Sequence, residues 1–261
     1  MVFLTFVALL ILLTMGLYFF QEKLIFYPEV LPQDYTYNFD RSFEEIDFQV
    51  SEGIKVNALL FKVDRSKGIV FYSHGNAGSL RSWGYVADIF LNLKYDVLVY
   101  DYRGFGKSGG SISEENLYHD ANLIYEELIQ LHDESRIIVY GRSIGTGIAT
   151  KIASEHKPGL LILESPYYNL PDLARNIFPI VPAVFIKYQF RNDIMIKKVE
   201  CPIIIFHGSS DEVIYFGSSL KLEKLLKDDD RLITIEGGHH NDLANFDVYH
   251  QELNKVLNQF R

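Results

Sequence analysis

The chain has 261 residues, of which 48% are hydrophobic and 23% charged, so it can bury one large core without dividing into several domains. The net charge of −9 and the lack of a basic stripe argue against a nucleic-acid partner. The single cysteine, Cys201, excludes an internal disulfide, and the eight histidines have no metal-ligand spacing, so neither a metal nor an organic cofactor is expected.

The N-terminal segment, residues 1–20, carries no charged side chain and consists mostly of Leu, Phe, Val and Ile. As a helix it would span about 30 Å, the thickness of a bilayer core. Because a basic leader region and a small-residue cleavage site are both absent, the segment predicts a single-pass membrane anchor at residues 1–21 and not a signal peptide. A buried hydrophobic helix is the alternative. A lysine, Lys23, and five aromatic residues are expected to form an interfacial anchor where the span ends: Tyr18, Phe19, Phe20, Phe26 and Tyr27.

Residues 22–42 are expected to be a juxtamembrane connector to one domain at residues 43–261. A strand pair at residues 43–50 and 54–63 opens this domain, and strands and helices then alternate. Five leucine, isoleucine and alanine residues recur at helical spacing and predict a helix with one core face: Leu117, Ala121, Ile124, Leu128 and Leu131. The predicted fold class is α/β, with a mostly parallel central sheet and helices on both faces.

A Gly-Arg-Ser-Ile-Gly sequence at residues 141–145 lies between a predicted strand, residues 137–140, and a predicted helix. This pattern is typical of a nucleophile elbow, in which a strained turn exposes the serine hydroxyl. The two glycines allow the strand and the helix to pass closely. The pattern predicts Ser143 as a nucleophile, with the Ile144 N–H directed at an incoming carbonyl oxygen. A glycine-rich turn of another α/β protein is the alternative.

Two polar turns further along the chain contain a candidate acid and a candidate base. Asp211 follows the apolar residues 202–206, and His240 follows the predicted strand at residues 231–235. Because the carboxyl ends of parallel strands meet at one edge of a sheet, Ser143, Asp211 and His240 can converge there. The order Ser, Asp, His along the chain therefore predicts a catalytic triad.

A loop of small residues, 73–78, follows the short apolar strand predicted at residues 68–72. Such a loop can bring a second backbone N–H, that of Asn76, beside the N–H of Ile144. Two donors directed at one point would stabilise the oxyanion of acyl transfer. An ordinary turn between a strand and a helix is the alternative.

The sequence Gly-Phe-Gly-Lys-Ser-Gly at residues 104–109 partly matches two phosphate-binding motifs. The phosphate loop also needs a glycine five places before Gly106, where this chain has Asp101. The dinucleotide motif needs a helix that begins within it, whereas the next helix is predicted to begin near residues 113–115. Both motifs are therefore excluded.

From about residue 43 to its end, the chain resembles the α/β-hydrolase superfamily. The similarity is carried by the turn at residues 101–108, the loop at 74–78 and the elbow at 141–145. Within the superfamily, the chain is similar to small-lid, membrane-anchored serine hydrolases, which include bacterial esterase-like proteins, proteins labelled serine aminopeptidase S33 and animal protein depalmitoylases. The resemblance implies a lid at about residues 166–200, where the chain is apolar and rich in proline. The large apolar side chains of this segment suggest an apolar acyl pocket. A connection that packs on the core is the alternative.

The resemblance also bears on which residue is the base. In this group the catalytic histidine is followed by a short polar pair before the last helix, which fits His240 before Asn241 and Asp242 better than His239. His239 stays the alternative. The serine at the elbow disfavours the alkyl-enzyme chemistry of haloalkane dehalogenases and epoxide hydrolases, which have aspartate there. The chain also differs from the depalmitoylases, because it has no cysteine cluster near the N-terminus.

These observations predict a membrane-anchored serine hydrolase that cleaves an ester or thioester of a small-molecule or lipid-like acyl substrate. Ser143 would attack, His240 would transfer the proton, Asp211 would hold the imidazole tautomer, and the N–H groups of Asn76 and Ile144 would bind the oxyanion. A serine peptidase is the alternative among enzymes. A non-catalytic binding protein on the same fold is the alternative of another class.

Overall fold

The structure, a computed structural model, describes residues 16, 18–179, 182 and 185–260. Most of the predicted membrane span, residues 1–15 and 17, and part of the predicted lid lie outside the described residues. Among the residues that the structure does describe, no helix is both long enough and apolar enough to cross a bilayer. The membrane anchor therefore stays a prediction.

Strands predicted from the sequence begin and end within two residues of the expected positions, whereas two short strands, Tyr27–Pro28 and Ala77–Gly78, were not predicted. The described part of the chain has ten strands. They are β1 (Tyr27–Pro28), β2 (Phe43–Ser51), β3 (Ile54–Phe61), β4 (Ile69–Ser73), β5 (Ala77–Gly78), β6 (Asp96–Tyr100), β7 (Ile137–Arg142), β8 (Leu160–Glu164), β9 (Ile203–Gly208) and β10 (Arg231–Ile235). Eight of them form one sheet in the order β10-β9-β8-β7-β4-β6-β3-β2. Within this sheet β3 is antiparallel to β2 and β6, and the other neighbours are parallel. The prediction of a mostly parallel sheet is confirmed.

Helices fill the connections between the strands. The α-helices are Gln21–Ile25, Leu80–Trp83, Ala87–Asn92, Glu114–Ile129, Gly145–Glu155, Leu170–Ile177, Asn192–Met195, Gly217–Glu223 and Asp247–Gln259, with 3-10 turns at Gly84–Val86, Glu134–Arg136, Ile196–Lys198 and Leu243–Asn245. The helix Glu114–Ile129 begins where the Ser113 hydroxyl accepts a hydrogen bond from the Asn116 N–H. The expectation that Leu131 continues the core face of this helix is wrong: the helix ends at Ile129 and Leu131 is 80% exposed.

The core lies in two layers, one on each face of the sheet. Because side chains alternate along a strand, Phe71 of β4 packs with Ile124 and Tyr125 on one face, whereas Tyr72 packs with Phe90 and Leu253 on the other. The carboxyl ends of β4, β7, β9 and β10 lie at the same edge of the sheet, where the candidate residues are found.

The expected connector, residues 22–42, packs on the sheet domain. Its strand β1 pairs with β5, and Leu31 and Tyr37 are buried. The expectation that Phe26 belongs to an interfacial anchor is wrong, because Phe26 is 4% exposed and its ring packs against Phe105 and Tyr188. Four other aromatic residues of the expected anchor are exposed: Tyr18, Phe19, Phe20 and Tyr27.

Candidate active site

Ser143 lies in a strained turn between β7 and the helix Gly145–Glu155. Its φ of 53° is in the left-handed region, which costs a residue with a Cβ about 1–3 kcal/mol. A Cβ on Gly141 would lie 2.6 Å from the Cβ of Ala149, and one on Gly145 would lie 2.6 Å from the His74 carbonyl oxygen. Only glycine fits at both positions, so the elbow sequence follows from close packing as well as from backbone conformation.

The structure brings Ser143, His240 and Asp211 together from three separate loops. His240 Nε2 lies 3.0 Å from Ser143 Oγ, and His240 Nδ1 lies 2.8 Å from Asp211 Oδ2. All three residues are buried. Because a carboxylate only accepts hydrogen bonds, Nδ1 carries the proton, and Nε2 is left to accept the hydroxyl proton of Ser143.

The neighbouring histidine points away from this cluster. The His239 side chain is 56% exposed, and its Nδ1 lies 3.0 Å from Glu212 Oε2. In the loop after β10 the two adjacent side chains diverge, and only that of His240 turns toward Ser143. The structure places His240 there.

The Asp211 carboxylate is surrounded by hydrogen-bond donors. Oδ1 accepts from the N–H groups of Val213 at 2.9 Å and Ile214 at 2.8 Å, and Oδ2 lies 3.2 Å from His207 Nε2. Burial by itself would raise the pKa of Asp211, but the hydrogen bonds with His207 and His240 and with the backbone lower this pKa well below its usual value. The carboxylate is therefore ionised and can stabilise a positive charge on His240.

His207, at the end of β9, was not identified from the sequence as part of the site. Its Nε2 donates to the Ile214 carbonyl at 2.9 Å, so its Nδ1 accepts from the Ser219 hydroxyl at 2.6 Å. His207 thus holds the turn that carries Asp211. The available signal was a histidine four positions before the acid, at the carboxyl end of the same strand.

The expected oxyanion donors lie on neighbouring loops. Ser73 at the end of β4 is in register with Gly141 of β7, so the loops that follow these strands are adjacent. Asn76 belongs to the first loop and Ile144 to the second. In the part of the chain that the structure describes, neither the Asn76 N–H nor the Ile144 N–H donates to another group.

A buried ion pair links the elbow to the histidine loop, and sequence reasoning did not find it. Arg142 Nε lies 2.9 Å from Glu164 Oε1. The same guanidinium donates to the His240 carbonyl at 3.1 Å and to Asn241 Oδ1 at 3.0 Å, and the Tyr249 hydroxyl donates to Glu164 Oε2 at 3.2 Å. Arg142 is the variable position before Ser143, so the elbow motif carried no signal for its role.

The described part of the predicted lid contacts the elbow and the helix Gly217–Glu223. The Tyr167 hydroxyl donates to the Ile144 carbonyl at 3.1 Å. The helix Leu170–Ile177 is held through Asp172, whose Oδ1 lies 2.6 Å from Lys221 Nζ. These contacts place the start of the lid insertion directly beside the nucleophile turn.

The glycine-rich sequence at residues 104–109 has a packing role. Gly106 has a φ of 52°, and a Cβ there would collide with the carboxylate of Asp101. Asp101 accepts from the Leu80 N–H at 3.1 Å, and Lys107 Nζ lies 2.7 Å from Glu45 Oε1. The lysine is thus paired with a carboxylate.

Comparison with known proteins gives consistent results. The family described as serine aminopeptidase, S33 matches residues 64–198. Alpha/beta hydrolase domain-containing protein 17B of Xenopus laevis is 31% identical over 200 residues, which cover 74% of this chain and 67% of that protein. The Homo sapiens protein of the same name is 29% identical over 218 residues, covering 81% of this chain and 74% of that protein.

Solved structures share the fold at low sequence identity. An esterase of Pyrococcus furiosus superposes with a TM-score of 0.72 and 17% identity, covering 90% of this chain and 98% of that chain. A monoglyceride lipase variant of Saccharomyces cerevisiae superposes with a TM-score of 0.66 and 17% identity, covering 88% and 98%. Together with the elbow and the mostly parallel sheet, these matches show that the chain belongs to the serine aminopeptidase S33 family of the α/β-hydrolase superfamily.

Proposed function

We propose that this hydrolase cleaves an acyl ester or thioester through an acyl-enzyme formed on Ser143. The observation that carries the proposal is the connected pair of contacts from Ser143 Oγ to His240 Nε2 at 3.0 Å and from His240 Nδ1 to Asp211 Oδ2 at 2.8 Å. A nucleophile within hydrogen-bond reach of a base, with the base held by a third group, is the arrangement that nucleophilic catalysis needs. It also argues against a purely binding protein on this fold.

In this mechanism, His240 Nε2 takes the proton from Ser143 as Oγ attacks the carbonyl carbon of the substrate. The carbonyl oxygen becomes an oxyanion that accepts hydrogen bonds from the N–H groups of Asn76 and Ile144. His240 then gives its proton to the leaving alcohol or thiol, and the acyl group stays on Ser143. A water molecule, deprotonated by His240, releases the acid and restores the serine.

The substrate chemistry is supported by an open groove next to the candidate oxyanion loop. The groove has a volume of about 520 Å³, and most of its exposed lining is apolar. The residues that line it are Ala77, Gly78, Ser82, Trp83, Tyr85, Val86, Ile89 and Arg142. The groove is lined by chain neighbours of the candidate oxyanion donor and of the nucleophile, because Ala77 follows Asn76 and Arg142 precedes Ser143. A groove of this size and character suits an acyl chain.

A serine peptidase is the second candidate, because the family description names aminopeptidases and the same residues can acylate on an amide. Rates on an ester and an amide with the same acyl group distinguish the two. A faster amide reaction would favour the peptidase.

Attachment to a membrane through residues 1–21 is part of the same proposal. It is supported by the uncharged sequence of residues 1–20 and by exposed apolar side chains at and just beyond the end of this segment, namely Phe19, Phe20 and Leu24. An apolar span is held by hydrophobic transfer, so the full-length protein should stay with membranes through high-salt and alkaline carbonate washes. Release by carbonate would contradict the anchor.

Labelling with a fluorophosphonate tests the nucleophile. We expect labelling of the wild-type protein at Ser143, none in the Ser143→Ala variant, and a loss of about 10⁴- to 10⁶-fold in kcat on p-nitrophenyl esters. Ser154→Ala is the matched control, because the Ser154 hydroxyl donates to a carbonyl of its own helix at 2.8 Å and has no base beside it. Undiminished labelling of the Ser143→Ala protein would overturn the assignment. Rates on a series of esters of graded acyl-chain length then measure which chain length the enzyme prefers.

A further inference from the structure

We propose that residues 21–31, here called the N-terminal brace, are a positioning element of the active site. The brace holds the candidate oxyanion loop, residues 74–78, in place and joins it to the end of the lid, residues 185–188. The inference rests on the proposed hydrolase function, because the loop matters only if the Asn76 N–H stabilises an oxyanion.

The first set of contacts joins the brace to the oxyanion loop at the donor residue, Asn76, and two residues after it. The Asn76 side-chain amide donates to the Ile25 carbonyl at 2.7 Å, and the Tyr27 N–H donates to the Asn76 carbonyl at 2.8 Å. The Glu29 N–H donates to the Gly78 carbonyl at 2.9 Å. The side chain and the carbonyl of Asn76 are therefore both held by the brace, which leaves its N–H free to point at a ligand.

The second set of contacts fixes the brace to the domain. The Gly106 N–H donates to the Glu29 carbonyl at 2.7 Å, and the Leu31 N–H donates to the Gly106 carbonyl at 2.8 Å. The Glu29 carboxylate accepts from the Ser79 hydroxyl at 2.7 Å. Phe26 is buried, with its ring 6.5 Å from that of Phe105. The brace is thus held by the turn after β6 and can act as a rigid support.

The third set of contacts reaches the lid. The buried Gln21 side chain donates to the Phe185 carbonyl at 2.6 Å and accepts from the Lys187 N–H at 2.8 Å. Glu22 forms an ion pair with Lys187, and the Phe26 ring lies 5.3 Å from that of Tyr188. One short segment therefore contacts the lid and the oxyanion loop together.

The oxyanion loop needs such a support because its own sequence provides little order. Gly75, Ala77 and Gly78 have small side chains or none, and glycine loses more conformational entropy on folding than other residues. Oxyanion stabilisation depends on donors that are already oriented, and the removal of one donor typically costs about 10²- to 10³-fold in kcat. We expect a misoriented Asn76 N–H to lower kcat by less than this, about 10- to 100-fold.

Two substitutions at Tyr27 isolate the backbone contact. The Tyr27 side chain is 55% exposed, and Phe26 before it is extended, with φ −115° and ψ 132°, which suits a residue before proline. Tyr27→Pro removes the N–H that donates to Asn76, whereas Tyr27→Ala keeps this N–H and removes the same side chain. Asn76→Ala is a second, independent variant, because it breaks the link to Ile25 and keeps the Asn76 N–H.

The measurement is kcat and KM on one p-nitrophenyl ester, with the pH profile of kcat/KM and a thermal unfolding curve for each protein. We expect kcat of Tyr27→Pro to be about 10- to 100-fold below that of Tyr27→Ala, and kcat of Asn76→Ala at least about fivefold below wild type. KM should stay within about threefold, and the pH midpoint should not move, because the triad lies on other loops. A general loss of structure would instead lower the active fraction and the unfolding temperature together.

The outcomes separate the two proposals. An inactive and unlabelled wild-type protein overturns the hydrolase function and the brace with it. An active wild type with equal kcat in Tyr27→Pro and Tyr27→Ala overturns the brace alone, as does a change confined to KM. If Tyr27→Pro does not fold, Asn76→Ala decides: an unchanged kcat overturns the brace.

Discussion

Replacing Arg142 by methionine tests the buried ion pair that links the elbow to the histidine loop. Methionine keeps an unbranched apolar side chain and removes the charge. Arg142 Nε lies 2.9 Å from Glu164 Oε1, and the two side chains are only 18% and 10% exposed. Without the guanidinium, the carboxylate is left buried and without its cation. Loss of one partner of a buried ion pair costs about 3–5 kcal/mol.

We expect the Arg142→Met cost to lie near the lower limit, about 3 kcal/mol, because the hydroxyls of Tyr140 and Tyr249 still donate to Glu164. For a chain of this size, that corresponds to a fall of about 6–12 °C in Tm. The substitution also removes the hydrogen bond to the His240 carbonyl, 3.1 Å long. A less firmly held base should lower kcat by about tenfold, with little change in KM.

A double-mutant cycle with Glu164→Gln, followed by urea and thermal unfolding, measures the coupling. We expect the double variant to be about 2 kcal/mol more stable than the sum of the single effects, because it leaves no buried unpaired charge. Arg41→Met is the control, since Arg41 Nε lies 2.8 Å from Asp88 Oδ1 but the side chains are 48% and 47% exposed. It should cost under about 1 kcal/mol. Equal costs for Arg142→Met and Arg41→Met, or single effects that add within about 0.5 kcal/mol, would refute the reasoning.

Three further predictions follow from the site and its surroundings. His240→Ala should lose about 10⁴-fold or more in kcat on a p-nitrophenyl ester and His239→Ala under about tenfold; the reverse result would mean that the base is His239. Because the folded-state pKa of Asp211 is lowered, its ionised form stabilises the fold above about pH 4, and this contribution should decline as the pH falls further. Thermal unfolding from neutral to acidic pH should show a weaker pH dependence in Asp211→Asn, and an unchanged dependence would contradict the lowered pKa. Gly106→Ala should cost at least about 2 kcal/mol more in urea unfolding than Gly53→Ala, because both have positive φ but only Gly106 has a side chain where the Cβ would lie. If the two variants lose the same free energy of unfolding, backbone strain alone sets the cost and the collision with Asp101 does not contribute.

Much of the fold was predictable because its signals are local. Short, mostly apolar runs of four or five residues, followed by polar turns, marked β4, β7, β9 and β10 to within two residues at either end. Helix spacing was equally clear for Leu117 to Leu128. The prediction from this spacing was wrong at Leu131, because the helix ends at Ile129. The periodicity of a sequence does not show where a helix ends.

The candidate site was predictable where the backbone itself imposes the residue type. A serine with φ of 53° between two close-packed glycines leaves a recognisable sequence, and so does a polar turn after a buried strand. Ser143, Asp211 and His240 were identified in this way and lie together in the structure.

Contacts between distant segments were decided only by the tertiary structure. Arg142 and the His240 carbonyl are 98 positions apart, and Asn76 and Ile25 are 51 apart. Nothing in either local sequence specifies such a partner, because a side chain meets it only after the strands have aligned. Phe26 shows the same limit. Its apolar, aromatic character suits a membrane interface and a protein core equally, and the pairing of β1 with β5 is what places it in the core. The sequence by itself determined which residues can form strands and a strained elbow, since these depend on local backbone geometry, and it marked the polar turns that hold a candidate acid and a candidate base. The tertiary structure alone decided which side chains orient them.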